Sequence, residues 1–583
     1  MASAYDKASL VMLPNAYKDG KVYSVKPEDR SGDFTFTRST AATRVNADGN
    51  IEKETGNLLT QSNSFNNWTN YLTTETSGQA DRSGGTSAWL LEKTGASGSI
   101  YRTPSTSGVS TFSAYVKAGT LNWVRLDFVG GGSKGYFDLQ NGVVGSVTGS
   151  PIDSAIEDYG NGWYRCSVTT TSTGSGVGII PAESDGSISG TSGNIYIQDA
   201  QLEQGLVARD YIETTTSAVY GGITDNVPRL DYTDSSCPAL LLEPLRTNLI
   251  KSSEYFESSY WSKLGVYEVD TNTTETLSPV GNYSATKIVA DTSTTSQHTV
   301  YGNVSQSSGT QYAVSIFAKA AEYDYLFFRG LGLGASGGAR FNISTGEVVA
   351  VNGYDSATIE DYGNGWYRCI AIGTSTSTGA PYYHMSPTSS YTSFAGNNSD
   401  GIYIWGAQCE EGSYPTSYIP TYGSSVSRVA ETCNNAGNAN TFNSTEGVLY
   451  AEIAALADDL TRRIITITDG TLNNIVKLEY KNLSNQIEAV LYNGNTECLI
   501  LHTLSDETEF NKIAFKYKQN DFSLFVNGIK VGTDTSGVVF TPNTLNNLSF
   551  NQGGGNNLYG NVKQVLTFNT ALTDTELQDL TTL

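Results

Sequence analysis

Two glycine-rich strings spell patterns that elsewhere hold nucleophiles or phosphates. Gly131-Gly-Ser-Lys-Gly135 and Gly334-Ala-Ser-Gly-Gly338 fit Gly-x-Ser-x-Gly, and the overlapping Gly130–Gly135 and Gly332–Gly337 fit Gly-x-Gly-x-x-Gly. Both chemistries need the loop to open a helix. Here each string runs straight into an alternating strand, Tyr136-Phe-Asp-Leu or Ala339-Arg-Phe-Asn-Ile, so each reads as a hairpin loop. The three histidines, His298, His384 and His502, stand isolated, with no His-Glu-x-x-His and no cysteine at zinc spacing. Glu157-Asp158 and Glu360-Asp361 are adjacent in sequence and point to opposite faces of a strand. They do not supply the facing carboxylates of a glycosidase. Asp458-Asp459 reads as a solvated turn rather than a calcium site; no acidic cluster names a Ca²⁺ ligand set, and no cofactor is expected.

Binding chemistry is better represented. Aromatic faces stack on sugar rings, and a guanidinium bonds hydroxyls or carboxylates, so Trp163-Tyr164-Arg165 and Trp366-Tyr367-Arg368 come forward first. They belong to one string: Asp158-Tyr-Gly-Asn-Gly-Trp-Tyr-Arg-Cys166 recurs unchanged as Asp361 through Cys369. Strand aromatics beside a fixed turn fill cores, and a strand arginine pairs with a local acid, which gives the triplets a structural role. A binding surface diverges between copies while a core does not. On that argument the ligand candidates are Trp405, where the first copy has Gln198, and Tyr382-Tyr383-His384.

The string sits inside a longer duplication. Phe112-Ser-Ala-Tyr-Val-Lys-Ala118 matches Val314-Ser-Ile-Phe-Ala-Lys-Ala320, and Ala200-Gln-Leu-Glu-Gln-Gly205 matches Ala407-Gln-Cys-Glu-Glu-Gly412. Each copy opens on Asn-Leu, at Asn57 and Asn248, and closes on Tyr-Ile-x-Thr, at Tyr211 and Tyr418. The apolar period within a copy is two, which predicts strands, and each copy should form a two-sheet antiparallel sandwich of jelly-roll type. Cys166 and Cys369 share a repeat position and Cys409 falls where the first copy has Leu202, so these thiols read as small buried hydrophobes rather than a disulfide framework.

With 60 Gly, 36 Tyr and only 16% charged residues, the chain suits many short strands joined by turns. Its 583 residues should divide into three or four domains. A formal charge of −23 argues against a nucleic-acid partner. No apolar run approaches the length of a membrane helix, and the start lacks a signal-peptide pattern, which points to synthesis in a cytosol.

The repeat pattern resembles carbohydrate-binding-module-like jelly rolls found in structural and fibre proteins of tailed bacteriophages. Phe34-Thr-Phe-Thr-Arg-Ser-Thr through Ile51-Glu52 and Val227-Pro-Arg-Leu-Asp-Tyr through Asn248 resemble segments of the same proteins. In those proteins the two segments adjoin; here the first module lies between them, so residues 31–55 should pair with 222–247 and the first module should be an insertion. The last third alternates strongly, and Tyr559 through Leu577 resembles the closing strand and short helix of concanavalin A-like (laminin-G-like) domains, with Thr573-Asp-Thr-Glu576 as a capping box.

The expected fold class is therefore all-β: two tandem antiparallel jelly-roll sandwiches and a C-terminal concanavalin A-like sandwich. The expected divisions are 1–55 as an N-terminal docking segment, 56–221 and 248–425 as modules, 222–247 as a connecting β segment, 426–440 as a linker and 441–583 as the lectin-like domain. The resemblance implies a non-enzymatic surface protein of a phage virion that attaches to host-surface glycans. It also implies docking to other virion proteins through residues 1–45, and homo-oligomers, trimers above all. A secreted bacterial adhesin is the alternative, and a glycoside hydrolase the second. Hydrolases of the concanavalin-like kind resemble one another in a strand reading Glu-x-Asp-x-x-Glu, whereas Ala451-Glu-Ile-Ala-Ala-Leu offers only Glu452.

Overall fold

Alternation along the two repeats becomes two sandwiches of identical strand order. In the first, one sheet runs Asp153–Asp158, Trp163–Thr170, Ser110–Ala118, Asn194–Gln204, Ala88–Lys93, Thr73–Gln79. The facing sheet runs Val143–Thr148, Lys134–Asp138, Trp123–Val129, Gly176–Ala182, Ser99–Arg102, Thr69–Tyr71. The second module repeats this strand for strand, from Ser356–Asp361 to Val266–Thr271 over Glu347–Asn352 to Trp261–Leu264. The computed structural model describes residues 4–104, 107–171, 174–233, 235–294, 297–331, 337–376, 381–389 and 393–582.

Period-two alternation sends one set of side chains between the sheets. Phe112, Ala114, Val116, Cys166 and Leu202 meet Val124, Leu126, Phe128 and Ile179 in the first core; Val314, Ile316, Cys369 and Cys409 meet Leu326, Phe328 and Tyr383 in the second. Cys166 lies opposite Ala114, and Cys369 opposite Ile316, at equivalent registers. All six cysteines are free thiols. Burial pushes the Cys166 and Cys369 thiols well above their ordinary range, as expected of hydrophobes. The first glycine-rich string turns between Trp123–Val129 and Lys134–Asp138, with the Ser133 hydroxyl donating to Gly149 O at 2.9 Å. Residues 332–336 of the second string lie outside the described residues.

The last third is a third sandwich. Its main sheet contains Glu446–Ala455, Asn511–Lys518, Phe522–Val526, Ile529–Asp534 and Gly560–Phe568; a five-stranded sheet from Thr496–Thr503 to Asn547–Ser549 faces it. Asn527 (φ 48°) and Gly528 (φ 81°) make the hairpin turn between Val526 and Ile529. The capping box forms: Thr573 N donates to Glu576 Oε2 at 2.8 Å, and Glu576 N to Thr573 Oγ1 at 3.3 Å.

The beginning of the chain is built into the third sandwich. Leu10–Met12 pairs with Gly560–Phe568, Leu10 opposite Thr567, and Leu10 and Met12 are buried in the third core. An apolar Leu-Val-Met strand has more to gain from an open sheet edge than from water. Residues 31–55 do lie against 222–247: Ala42 N donates to Ile223 O at 3.0 Å, Asn226 N to Arg38 O at 2.7 Å, and Tyr232 N to Val45 O at 3.1 Å. The chain leaves for the first module along Thr55–Asn57 and returns along Val219–Gly221, and these two strands pair. Ala239–Leu242 then joins Gly560–Phe568, Leu240 opposite Val562.

Residues 426–440 are not a loose linker. Val426–Arg428 pairs with Arg246–Asn248, Thr432–Asn434 pairs with Phe34–Thr37, and between them Arg428 and Glu431 are buried. Polar composition suggested a tether, but these charges have fixed partners. Arg38 reaches Glu431 at 2.6 Å, Arg229 reaches Glu243 at 2.6 Å and also bonds Glu431, and Arg428 reaches Glu243 at 2.6 Å. Burial alone would raise the Glu243 carboxyl, yet Arg428 and Arg229 hold it down at about 2. This five-charge knot joins the N-terminal segment, the connecting segment and the strap after the second module.

Candidate functional site

The repeated string is a turn followed by a strand, in both modules alike. Gly160, Asn161 and Gly162 have φ of 79°, 52° and 77°, and Gly363, Asn364 and Gly365 have 74°, 54° and 78°. Three successive left-handed residues explain the Gly-Asn-Gly spelling. Asp158 and Asp361 each accept the amide two residues on at 2.7 Å. Trp163 and Trp366 are buried on the outer face of their sheet, while Tyr164 and Tyr367 are half-buried. Arg165 and Arg368 are buried, and the local acids Glu157 and Glu360 stand opposite them on the neighbouring strand. Arg368 donates to Thr416 O at 2.7 Å and Arg165 to Arg209 O, so each arginine pins the tail that closes its module.

The remaining repeat residues form a polar clasp whose roles sequence reading did not resolve. Asn57 Nδ2 donates to Ala200 O and Ile212 O; Asn248 does the same to Ala407 O and Ile419 O. Ser62 bonds Tyr211 at 2.7 Å, and Ser253 bonds Tyr418 at 2.6 Å. Buried polar groups persist where every partner is supplied, and these are.

Divergence between the copies does not mark the surface in the way the sequence suggested. Trp405 is fully buried, packed with Phe317, Trp366, Tyr418 and Ile51. Ile51 comes from the hairpin of Thr43–Val45 and Ile51–Lys53, and Lys53 Nζ lies 5.7 Å from the Trp405 ring centroid. In the first module Gln198 instead accepts from Arg82 N at 3.2 Å. The Gln-to-Trp difference therefore accompanies an internal contact made by one copy. Tyr383 points inward, 5.1 Å from Phe328. His384 is buried, and burial together with Arg329 pulls its imidazole down to about 3, which keeps it neutral. Tyr382 is half-buried and stacks on Tyr301 at 4.4 Å and 19°. None of the four lines the cavity described next.

A cavity of about 360 Å³ opens beside the repeated turn of the second module. Tyr362, Asn364 and Trp366 form one wall, and Lys319 and the loop carrying Glu275 and Tyr283 form the others. The loop is longer than its counterpart in the first copy. Fourteen residues separate Thr271 from Thr286, against eight between Gln79 and Ala88. It is tied down by Trp366 Nε1 to Leu277 O at 2.8 Å, Lys319 Nζ to Thr276 Oγ1 at 3.1 Å and Ile51 N to Pro279 O at 2.9 Å. Glu275 accepts from Tyr403 at 2.6 Å and from Lys287 at 3.0 Å, which together lower its carboxyl. Tyr283 is half exposed. Rings, an amide, an ammonium and a carboxylate around an open cleft suit a polyhydroxylated ligand. Unequal loop lengths in the two copies were the signal in the sequence that could have found this cleft.

Residues 438–578 match the family of the concanavalin A-like lectin/glucanases superfamily. Among solved structures, a candidate carbohydrate binding protein from Bacteroides ovatus ATCC 8483 overlaps 50% of this chain and 80% of its own at 12% identity and a TM-score of 0.19. Trypanosoma rangeli sialidase overlaps 94% and 98% at 10% identity and 0.22, and the LG1-3 region of the laminin alpha2 chain overlaps 82% and 96% at 12% and 0.15. Overlaps this loose carry no argument about function. A search of curated proteins found no match. The family match and the sheet topology together make the C-terminal third a concanavalin A-like, laminin-G-like domain, which follows two β-sandwiches of common design.

Proposed function

We propose that this chain is a non-enzymatic surface protein of a phage virion that displays three sandwiches and attaches to host-surface glycans. The cleft at Tyr283, Tyr362 and Lys319 is the observation that carries the binding part of this reading: one wall is a loop longer than its counterpart in the first copy. The lectin-like third domain adds a fold used for saccharide recognition. The virion assignment rests on the resemblance of residues 31–425 to phage fibre proteins, and a symmetric oligomer is part of the same proposal. Residues 4–55 serve as internal mortar in this reading, so any docking face lies on the assembled surface rather than on a free tail.

A glycan array carrying host-type polysaccharides, probed with the full chain, tests it. Binding that falls about tenfold in Tyr283→Ala, with unchanged melting, is the expected result. Silence of the wild-type chain across the array, or equal binding by Tyr283→Ala, removes the cleft from the reading. Cleavage of any arrayed glycan removes the non-enzymatic part.

A further inference from the structure

The outer face of the other sheet of the second module carries a different chemistry. Antiparallel register places Tyr301 opposite Tyr382, Tyr382 opposite Arg329, and Phe327 opposite both His384 and Arg340. These residues share one face, since paired positions project the same way. Tyr301 and Tyr382 stack, and the Arg340 guanidinium lies 5.7 Å from the Phe327 ring centroid. Arg329, Arg340, Tyr301 and Tyr382 are all half-buried, so each keeps some contact with solvent.

The first module shows what this face looks like when it is self-contained. There Arg125 forms an ion pair with Asp127 at 2.7 Å and lies 5.7 Å from the Tyr136 ring. Register equates Asp127 with Arg329, Gly178 with Tyr382, Ile180 with His384 and Tyr136 with Arg340. An acid has been exchanged for a cation, and a glycine for an aromatic ring. Among the described residues no carboxylate lies within ion-pair distance of Arg329 or Arg340, in a chain of net charge −23. The two arginines are diagonal neighbours, roughly 7–8 Å apart at the backbone, where like charges repel. His384 stays neutral beneath them.

We propose that this face binds an acidic polysaccharide, with Arg329 and Arg340 on its carboxylate or sulfate groups and Tyr301 and Tyr382 against the sugar rings. A guanidinium fork matches either anion, and an anion bridging two uncompensated arginines removes their repulsion. The site is separate from the Tyr283 cleft and does not depend on it.

The test is binding of the full chain to oligogalacturonate, dextran sulfate, neutral dextran and a short single-stranded DNA. The two acidic polymers separate carboxylate from sulfate recognition. Binding to at least one of them should exceed binding to dextran, fall with added salt, and weaken about tenfold in Arg329→Asp, which installs the acid of the first module. Arg340→Gln should weaken it too. Melting curves identify folded variants; if Arg329→Asp does not fold, Arg340→Gln decides. Equal affinity in wild type and the folded arginine variants overturns the proposal, as does equal binding of dextran or equally tight binding of DNA.

Discussion

Lys53 and Glu254 meet as a buried ion pair, Nζ to Oε1 2.7 Å, although 201 residues separate them. The lysine belongs to the N-terminal hairpin and the glutamate to the start of the second module. Tyr422 and Tyr418 complete the site, their hydroxyls at 3.1 Å from Lys53 Nζ and Glu254 Oε1 respectively. Removing one charge strands the other. Lys53→Met or Glu254→Gln should each destabilise the chain by about 3–5 kcal/mol, and the double variant should recover much of that loss. Urea unfolding of the four proteins measures the coupling.

Trp405 should behave as a packing residue. Trp405→Gln, the residue of the first copy, leaves a void under Ile51 and should cost about 3–5 kcal/mol. Binding per folded molecule, to any glycan the chain recognises, should not change. A selective loss of binding at unchanged stability would restore Trp405 as a ligand residue.

Glu507 gives the third domain a pH dependence. Its side chain is buried with no hydrogen-bond partner, and Arg463 Nη1 is 3.8 Å away. Burial first, then Asp458, pushes its carboxyl from 4.5 up to about 7. Below 4.5 folded and unfolded chains are both protonated there and the group is neutral to stability. Between 4.5 and 7 only the unfolded chain has lost the proton, so stability falls as pH rises. The full penalty, about 3 kcal/mol, is present above 7. Glu507→Gln should therefore raise the melting temperature at pH 8 and leave it nearly unchanged at pH 4.

Thr573→Ala removes one half of the capping box of the C-terminal helix. A loss of about 1 kcal/mol is expected, read from the melting of the third domain.

The duplication made the sandwiches legible before any coordinates: period-two runs fixed which residues face inward, and equal spacing fixed equal strand order. Asn527-Gly528 and Thr573-Asp-Thr-Glu576 announced their turn and cap because local chemistry alone decides them. The strap at 426–440 was illegible because a buried Arg428 or Glu431 has the composition of an exposed one until its partners, Arg38, Arg229 and Glu243 far upstream, are known. Trp405 misled for the same reason. Its partner Ile51 lies outside the repeat, so comparison of the copies showed that something differed without showing what touched it. The cleft was hidden in a loop-length difference rather than in any residue type.

The pairing of Leu10–Met12 with Gly560–Phe568 sets an order of events during synthesis. Leu10–Met12 must wait for a strand made about 550 residues later, a delay of roughly 30–110 s at ordinary ribosomal speeds. Each repeated module has a core of its own and is complete well before then. The growing chain is thus a string of finished beads with an open collar, and the collar snaps shut only when Gly560–Phe568 emerges. A nascent chain stalled after the second module but before residue 560 would hold two folded sandwiches and still leave Leu10 and Met12 exposed to chaperones or proteases.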